Sequence, residues 1–112
     1  MDEPVFLPPG AGERVRAQRV LGELKDIEAL DLSFPADFEG VDPHTHPDHS
    51  DSFYVLEGEV EFFVGGEWRR AGPGTFVSIP RNVEHGFRPA GTAIRLLNFH
   101  TPYVGFVDSL RD

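Results

Sequence analysis

An all-β fold, a sandwich or barrel of short antiparallel strands, is what this sequence predicts, and three observations predict it. Twelve glycines and ten prolines among 112 residues cut the chain into short segments, the punctuation of a protein with many turns. Between the breaks, apolar and polar residues alternate. Val60, Phe62 and Val64 take one parity and Glu59 and Glu61 the other, which places one face of a strand on a core. Gly65-Gly66 then joins two such runs with the strongest turn signal in the chain.

Taken in order, residues 1–13 read as an arm, because Pro4, Pro8, Pro9, Gly10 and Gly12 exclude regular helix. Within it, Val5-Phe6-Leu7 is a candidate edge strand, added to this chain or to a partner. Residues 14–112 read as one domain. From Arg14 to Leu24 the apolar spacing fits neither period cleanly, and a strand with a bulge near Gly22 suits its β neighbours. Ile27–Phe34 is a strand with Leu30, Leu32 and Phe34 on one face, and Pro35–Gly40 is the loop after it. Beyond Asp51 the parity carries Phe53 and Val55 inward. Glu57-Gly58-Glu59 reads as a tight hairpin turn. Short strands are expected at Glu67–Arg70, Thr75–Ile79, His85–Arg88 and Thr92–His100, the last with Ile94, Leu96, Asn98 and His100 inward and Arg95 outward. Residues 104–110 pack as a final helical turn or an arm.

Composition narrows the function. A formal charge of −9 opposes nucleic acid and anionic membrane surfaces, both of which demand a basic face. A negative rim can favour cations, although solubility is the simpler reading. Ten Phe beside one Met suggest a rigid aromatic core, and the absence of Cys removes disulfides, thiolate ligands and a cysteine nucleophile. A cytoplasmic location is compatible with that. The first residues carry neither a secretion signal nor a membrane span.

The chemistry concentrates in Gly40–Gly58, where His44, His46, His49 and Asp51 precede the apolar run. On a strand, residues two apart share a face, so His44 and His46 can aim both imidazoles at one spot. Two ligands fall short of a site, and three histidines in an acidic loop can simply be solvated. A second segment, Gly74–His85, runs into Pro80, turns through Arg81 and Asn82, and returns with His85 and Phe87.

Together the two segments resemble the paired motifs of the cupin superfamily. The first motif, G-x5-H-x-H-x(3,4)-E-x6-G, is matched by His44, His46, Asp51 and Gly58, with four residues between His46 and Asp51 and six between Asp51 and Gly58. The second, G-x5-P-x-G-x2-H-x3-N, is matched by Gly74, Pro80 and His85. Gly40 stands closer to His44 than the motif writes it. Asn82 replaces a glycine, and Asn is the other residue that tolerates positive φ. Pro89 replaces the final Asn, and Asp51 replaces Glu with a carboxylate one methylene shorter. The resemblance spans about the last three quarters of the chain.

The resemblance implies a double-stranded β-helix, or jelly roll, with a site inside its mouth and His85 brought opposite His44 and His46. It further implies one divalent transition metal per chain held by His44, His46, His85 and Asp51. Three imidazoles and a carboxylate suit Fe, Mn, Ni, Cu or Zn without choosing among them. Asp51 either reaches the ion or orients a histidine beside it. His49 reads as a solvated loop tip, with fourth ligand as the lesser alternative, and His100 as a pocket wall.

Phe53, Val55, Phe62 and Phe87 share the inward parity, either as core or as an apolar pocket for a small hydrophobic molecule. Arg81 and Arg88 read as solvated turn charges. The expected function is a metal-dependent enzyme, dioxygenase-like or isomerase-like; the alternative is a non-catalytic metal- or ligand-binding module. Tyr54, Phe63 and Val5-Phe6-Leu7 point away from the interior and favour a homodimer.

Overall fold

Among the described residues, ten strands and one short helix carry the pattern of alternation into three dimensions. The computed structural model describes residues 2–111. The strands are β1 (Arg14–Val15), β2 (Gln18–Leu24), β3 (Ile27–Phe34), β4 (Val41–His44) and β5 (Ser50–Glu57). They continue with β6 (Val60–Val64), β7 (Glu67–Ala71), β8 (Phe76–Ile79), β9 (His85–Pro89) and β10 (Ile94–Thr101), before α1 (Phe106–Leu110). They form two antiparallel sheets, a six-stranded one in the order β1-β2-β3-β10-β5-β8 and a four-stranded one in the order β4-β9-β6-β7.

The core lies between the sheets. Leu30, Leu32, Phe53, Val55 and Leu96 from one sheet meet Val60, Phe62 and Phe87 from the other, all buried. Phe53, Phe62 and Phe87 pack with ring centroids 5.4 to 6.1 Å apart, the range of favourable tilted aromatic contacts. On β10 burial alternates along the whole strand, with Ile94, Leu96, Asn98 and His100 inward as the parity predicts. The bulge expected near Gly22 falls between Val20 and Gly22. Gly65 and Gly66 make the β6–β7 hairpin at φ 62° and 90°, the positive values a two-residue turn of this hand requires.

One expectation fails, and one alternative of a second falls away. Glu57-Gly58-Glu59 is not a hairpin, because β5 and β6 belong to different sheets; the turn passes the chain from one sheet to the other, as a jelly roll requires. Gly58 has φ 84°, and a Cβ there would lie 2.1 Å from the Ala93 carbonyl oxygen, so the crossing needs a glycine for space as well as for conformation. Val5-Phe6-Leu7 adds to no strand of this chain, since residues 2–13 contain none; Phe6 is 95% exposed, which leaves addition to a partner as the alternative.

The tail is helical for one turn and tied down. Arg111 donates to the carboxylates of Glu13 and Glu23 at 3.2 and 2.8 Å. Glu28, fully buried on β3, accepts the Phe106 and Val107 backbone N–H groups at 3.2 and 2.9 Å. A helix start with no side-chain cap of its own thus has its otherwise unpaired donors satisfied from the sheet below.

Candidate metal centre

Two cross-strand pairs, one from each sheet, build the site. In the four-stranded sheet His44 stands directly across from His85, and in the six-stranded sheet Asp51 stands across from His100. A register shift between Val41 and His44 gives β4 one residue more than β9 opposite it. Such a bulge re-aims the side chain that follows, and Pro43 is tolerated because β4 is an edge strand. Gly86, next to His85, permits the close approach: a Cβ there would lie 2.5 Å from the Val41 carbonyl oxygen.

His46 is not on the strand with His44. It lies two residues past the end of β4, where its carbonyl accepts the Asn82 N–H at 2.8 Å. Asn82 takes φ 66°, the conformation its side chain tolerates in place of glycine. The loops of the two sequence motifs are therefore bonded to each other. Convergence of His44 and His46 comes from this contact rather than from strand parity.

One donor atom from each of His44, His46, Asp51 and His85 can be chosen so that all lie within 4.8 Å of one another. The nearest separations are 3.0 Å between the Nε2 atoms of His44 and His46, 2.9 Å from His85 Nε2 to Asp51 Oδ2, and 3.5 Å from His46 Nε2 to Asp51 Oδ2. Donors held about 2.1 Å from a common ion sit about 3.0 Å apart at a right angle and about 3.4 Å at the tetrahedral angle. The spacing fits. The remaining ring nitrogens agree with it, since His44 Nδ1–H donates to the Asp42 carbonyl at 2.8 Å and His85 Nδ1–H to the Val83 carbonyl at 2.9 Å. Each bond commits Nδ1 as the donor and turns Nε2 toward the cluster, the nitrogen that would ligate an ion and that in its absence bonds Asp51 from His85.

Asp51, although one methylene shorter than the motif's Glu, brings Oδ2 as near to the ring nitrogens as they are to each other. Its other oxygen accepts from Asn98 Nδ2 at 2.7 Å. His49 departs from expectation: it is 6% exposed rather than solvated. The chain bends inward after Pro47, so its ring packs 4.2 Å from His46 and 5.0 Å from His100 while Nδ1–H donates to Asp48 at 2.8 Å. All five histidines of the chain thus form one continuous group.

His100 lines the cavity beside the cluster and is held by Glu28 at 3.0 Å through Nδ1–H. Sequence reading missed Glu28 and Gln18. Glu28 shares inward parity with Leu30 and Leu32, so an acid on the apolar face was the available signal. For Gln18 the signal is weaker: it shares parity with Val20, but the apolar spacing of β2 fits no single period, and the β2–β3 register is what settles its direction.

A cavity of about 110 Å³ opens beside the cluster. Phe53, Phe87 and His100 line it, with Phe34, Phe106 and Gln18. Val55 and Phe62 do not; both are sealed in the core, 0% and 2% exposed, because their positions lie deeper between the sheets. A larger groove of about 310 Å³ lies between β7 and β8. Its only ionisable side chains are Arg69 and Arg70, both exposed, so it holds no comparable chemistry.

Burial lowers His46 to about 4, helped by neighbouring His49. Burial is also the largest influence on His85 and opposes its charge, but the Asp51 carboxylate and the Val83 carbonyl outweigh it and raise the pKa. For Asp51, burial would raise the pKa; the bonds from His85 and Asn98, with the charge of His100, hold it below its ordinary value.

The signs set a pH optimum for the metal-free fold. His46 binds its proton more readily unfolded, so stability falls as pH drops from 6.5 toward about 4. His85 stabilises the fold when protonated, and that contribution is lost as pH rises through its raised value. Asp51 contributes above its ordinary 3.8 and is lost as pH falls through its lowered value. Thermal unfolding in chelator is expected to show a maximum near pH 6.5; a melting temperature still climbing well into the alkaline range would contradict the His85–Asp51 pairing.

Comparison with known proteins places these residues in context. The family model described as "Cupin domain" matches residues 33–100, a span that contains all five histidines. The chain is 26% identical over 92 residues to quercetin 2,3-dioxygenase of Bacillus subtilis (strain 168), covering 76% of this chain and 27% of that protein. It is 32% identical over 69 residues to an uncharacterized protein of Aquifex aeolicus (strain VF5), covering 62% of this chain and 57% of the other. It therefore spans less than two thirds of the length of either relative. An RmlC-like cupin from Shewanella frigidimarina NCIMB 400 superposes with a TM-score of 0.75 at 24% identity, over 90% of this chain and 92% of that one. Among the described residues no helix is long and apolar enough to cross a membrane.

Proposed function

The chain belongs to the cupin family, and from that premise we propose that it is a mononuclear metal-dependent enzyme acting on a small, partly apolar molecule. The observation that carries this reading is the donor set: three imidazoles and one carboxylate drawn from both sheets, with two of the rings already turned to present Nε2. His44, His46, Asp51 and His85 would hold the ion. A bound transition metal supplies open coordination positions, either for Lewis-acid polarisation of a substrate oxygen or for redox chemistry.

The chain's own part is positional. Asn98 and Asp51 keep His85 oriented, Glu28 keeps His100 in place, and Phe34, Phe53, Phe87 and Phe106 exclude water from the cavity. The quercetin 2,3-dioxygenase relative supports the dioxygenase-like form over the isomerase-like one, at low identity and over about a quarter of that protein's length. The second reading, a non-catalytic metal- or ligand-binding module, is favoured by the modest cavity, which lies below the roughly 300 Å³ at which ligand pockets ordinarily begin.

Elemental analysis of untagged protein, followed by anaerobic Fe(II) loading and an oxygen-uptake screen with small enolic and phenolic compounds, separates the two. The enzyme reading expects one divalent ion per chain and substrate-dependent oxygen consumption. Metal without turnover would favour the binding module, and no retained metal would end the enzyme reading and leave only a metal-free ligand-binding module. The same preparation examined by light scattering addresses the homodimer we propose through Tyr54, Phe63 and the arm, where Phe6 is 95% exposed; a monomer mass would remove it.

A further inference from the structure

Gln18 opens β2 directly across from Leu32, so its side chain enters the barrel interior and lines the cavity. It is 8% exposed. Its Oε1 is the one buried side-chain nitrogen or oxygen among the described residues that has no hydrogen-bond partner. The neighbouring polar groups are already committed: Asn98 Nδ2 donates to Asp51 and to the Ser52 carbonyl, and His100 Nδ1–H donates to Glu28. A buried amide oxygen left unpaired costs stability that leucine at the same place would not. Apart from the donor cluster, Asn98 and His100, the wall is apolar, formed mainly by Leu32, Phe34, Phe53, Phe87 and Phe106.

We propose that Gln18 is a ligand-recognition residue whose amide oxygen receives the hydroxyl or N–H of a small apolar molecule reaching toward the His44–His46–Asp51–His85 cluster. Size narrows the class further. A cavity of about 110 Å³ is somewhat smaller than the roughly 150 Å³ apolar cavity that accepts benzene. The part of the ligand held there is therefore a single small ring or a short branched chain bearing one donor. This inference rests on the reading of the cavity as the ligand site, but not on the metal, so the test is run on chelator-treated protein.

Phenol and toluene, matched in size and differing in the donor, are titrated calorimetrically into metal-free wild-type protein and into Gln18→Leu. Wild type is expected to prefer phenol by about tenfold, the factor carried by one hydrogen bond. Gln18→Leu is expected to lose that preference, to keep its affinity for toluene, and to melt at a higher temperature without ligand. Should Gln18→Leu fail to fold, Gln18→Met serves as a second apolar replacement, and the wild-type comparison needs no variant. Equal affinities in wild type, failure of phenol to bind, or a preference that survives the substitution would each overturn the proposal. Phenol preference without metal uptake would uphold Gln18 and end the metal reading; the converse would do the opposite.

Discussion

Glu28→Ala is expected to remove about 3–5 kcal/mol of folding stability, seen as a lower urea midpoint with little change in slope. The carboxylate is 0% exposed, and three donors converge on it: His100 Nδ1–H at 3.0 Å and the Phe106 and Val107 N–H groups at 3.2 and 2.9 Å. Each orphaned buried donor costs about 1–3 kcal/mol, and the three are coupled through one acceptor. Against a total of about 5–15 kcal/mol the loss is large. Glu28→Gln keeps an acceptor in place and is expected to recover about half of it. A loss below about 1 kcal/mol for Glu28→Ala would mean that water replaces the carboxylate and that α1 is not anchored there. The variant also bears on the site, since α1 carries Phe106, whose ring packs 5.1 Å from His100 over the cavity.

Glu28 illustrates what the sequence makes legible and what it hides. Period-two alternation places the inward residues of β5, β6 and β10 correctly, because a strand between two packed layers has no freedom to rotate. Fixed spacings bring His44, His46, Asp51 and His85 to one place, since each spacing counts residues along strands and turns of set length. Sheet membership is different. Nothing local to Gly58 distinguishes a hairpin from a crossing between sheets, because both need positive φ; the partner of β6 is decided by β9, some 25 residues later.

Burial of polar residues is hidden for a related reason. His49 looks solvated beside Pro47 and Asp48, yet tertiary contacts with His46 and His100 enclose it. Gln18 and Glu28 sit at inward positions that hydropathy assigns to apolar residues. Such local inconsistencies mark functional or anchoring positions. An inward-parity residue of the wrong polarity is thus the signal to seek in sequences of this kind.

His85→Ala is expected to weaken metal binding by at least about 100-fold, since loss of an outer-shell partner alone costs about 10–100-fold. His85 is the ligand on which the others converge: it faces His44 in register, lies 2.9 Å from Asp51 Oδ2, and packs 4.5 and 5.0 Å from the His44 and His46 rings. Its removal takes away a donor and leaves the Asp51 carboxylate bonded chiefly to Asn98. The apo fold should weaken too, because Asp51 and His85 are both buried and breaking such a pair is costly. Circular dichroism establishes that the barrel survives before metal is measured by chelator competition. If His85→Ala does not fold, His85→Gln retains a side-chain donor for Asp51 while offering a poor ligand, and the same loss of metal is expected. His49→Ala is the necessary contrast. Its Nδ1–H is committed to Asp48, and it lies outside the donor cluster, so metal affinity should change by less than about tenfold. Stoichiometric metal in His85→Ala, or its loss in His49→Ala alone, would move the centre away from the His44–His85 pair.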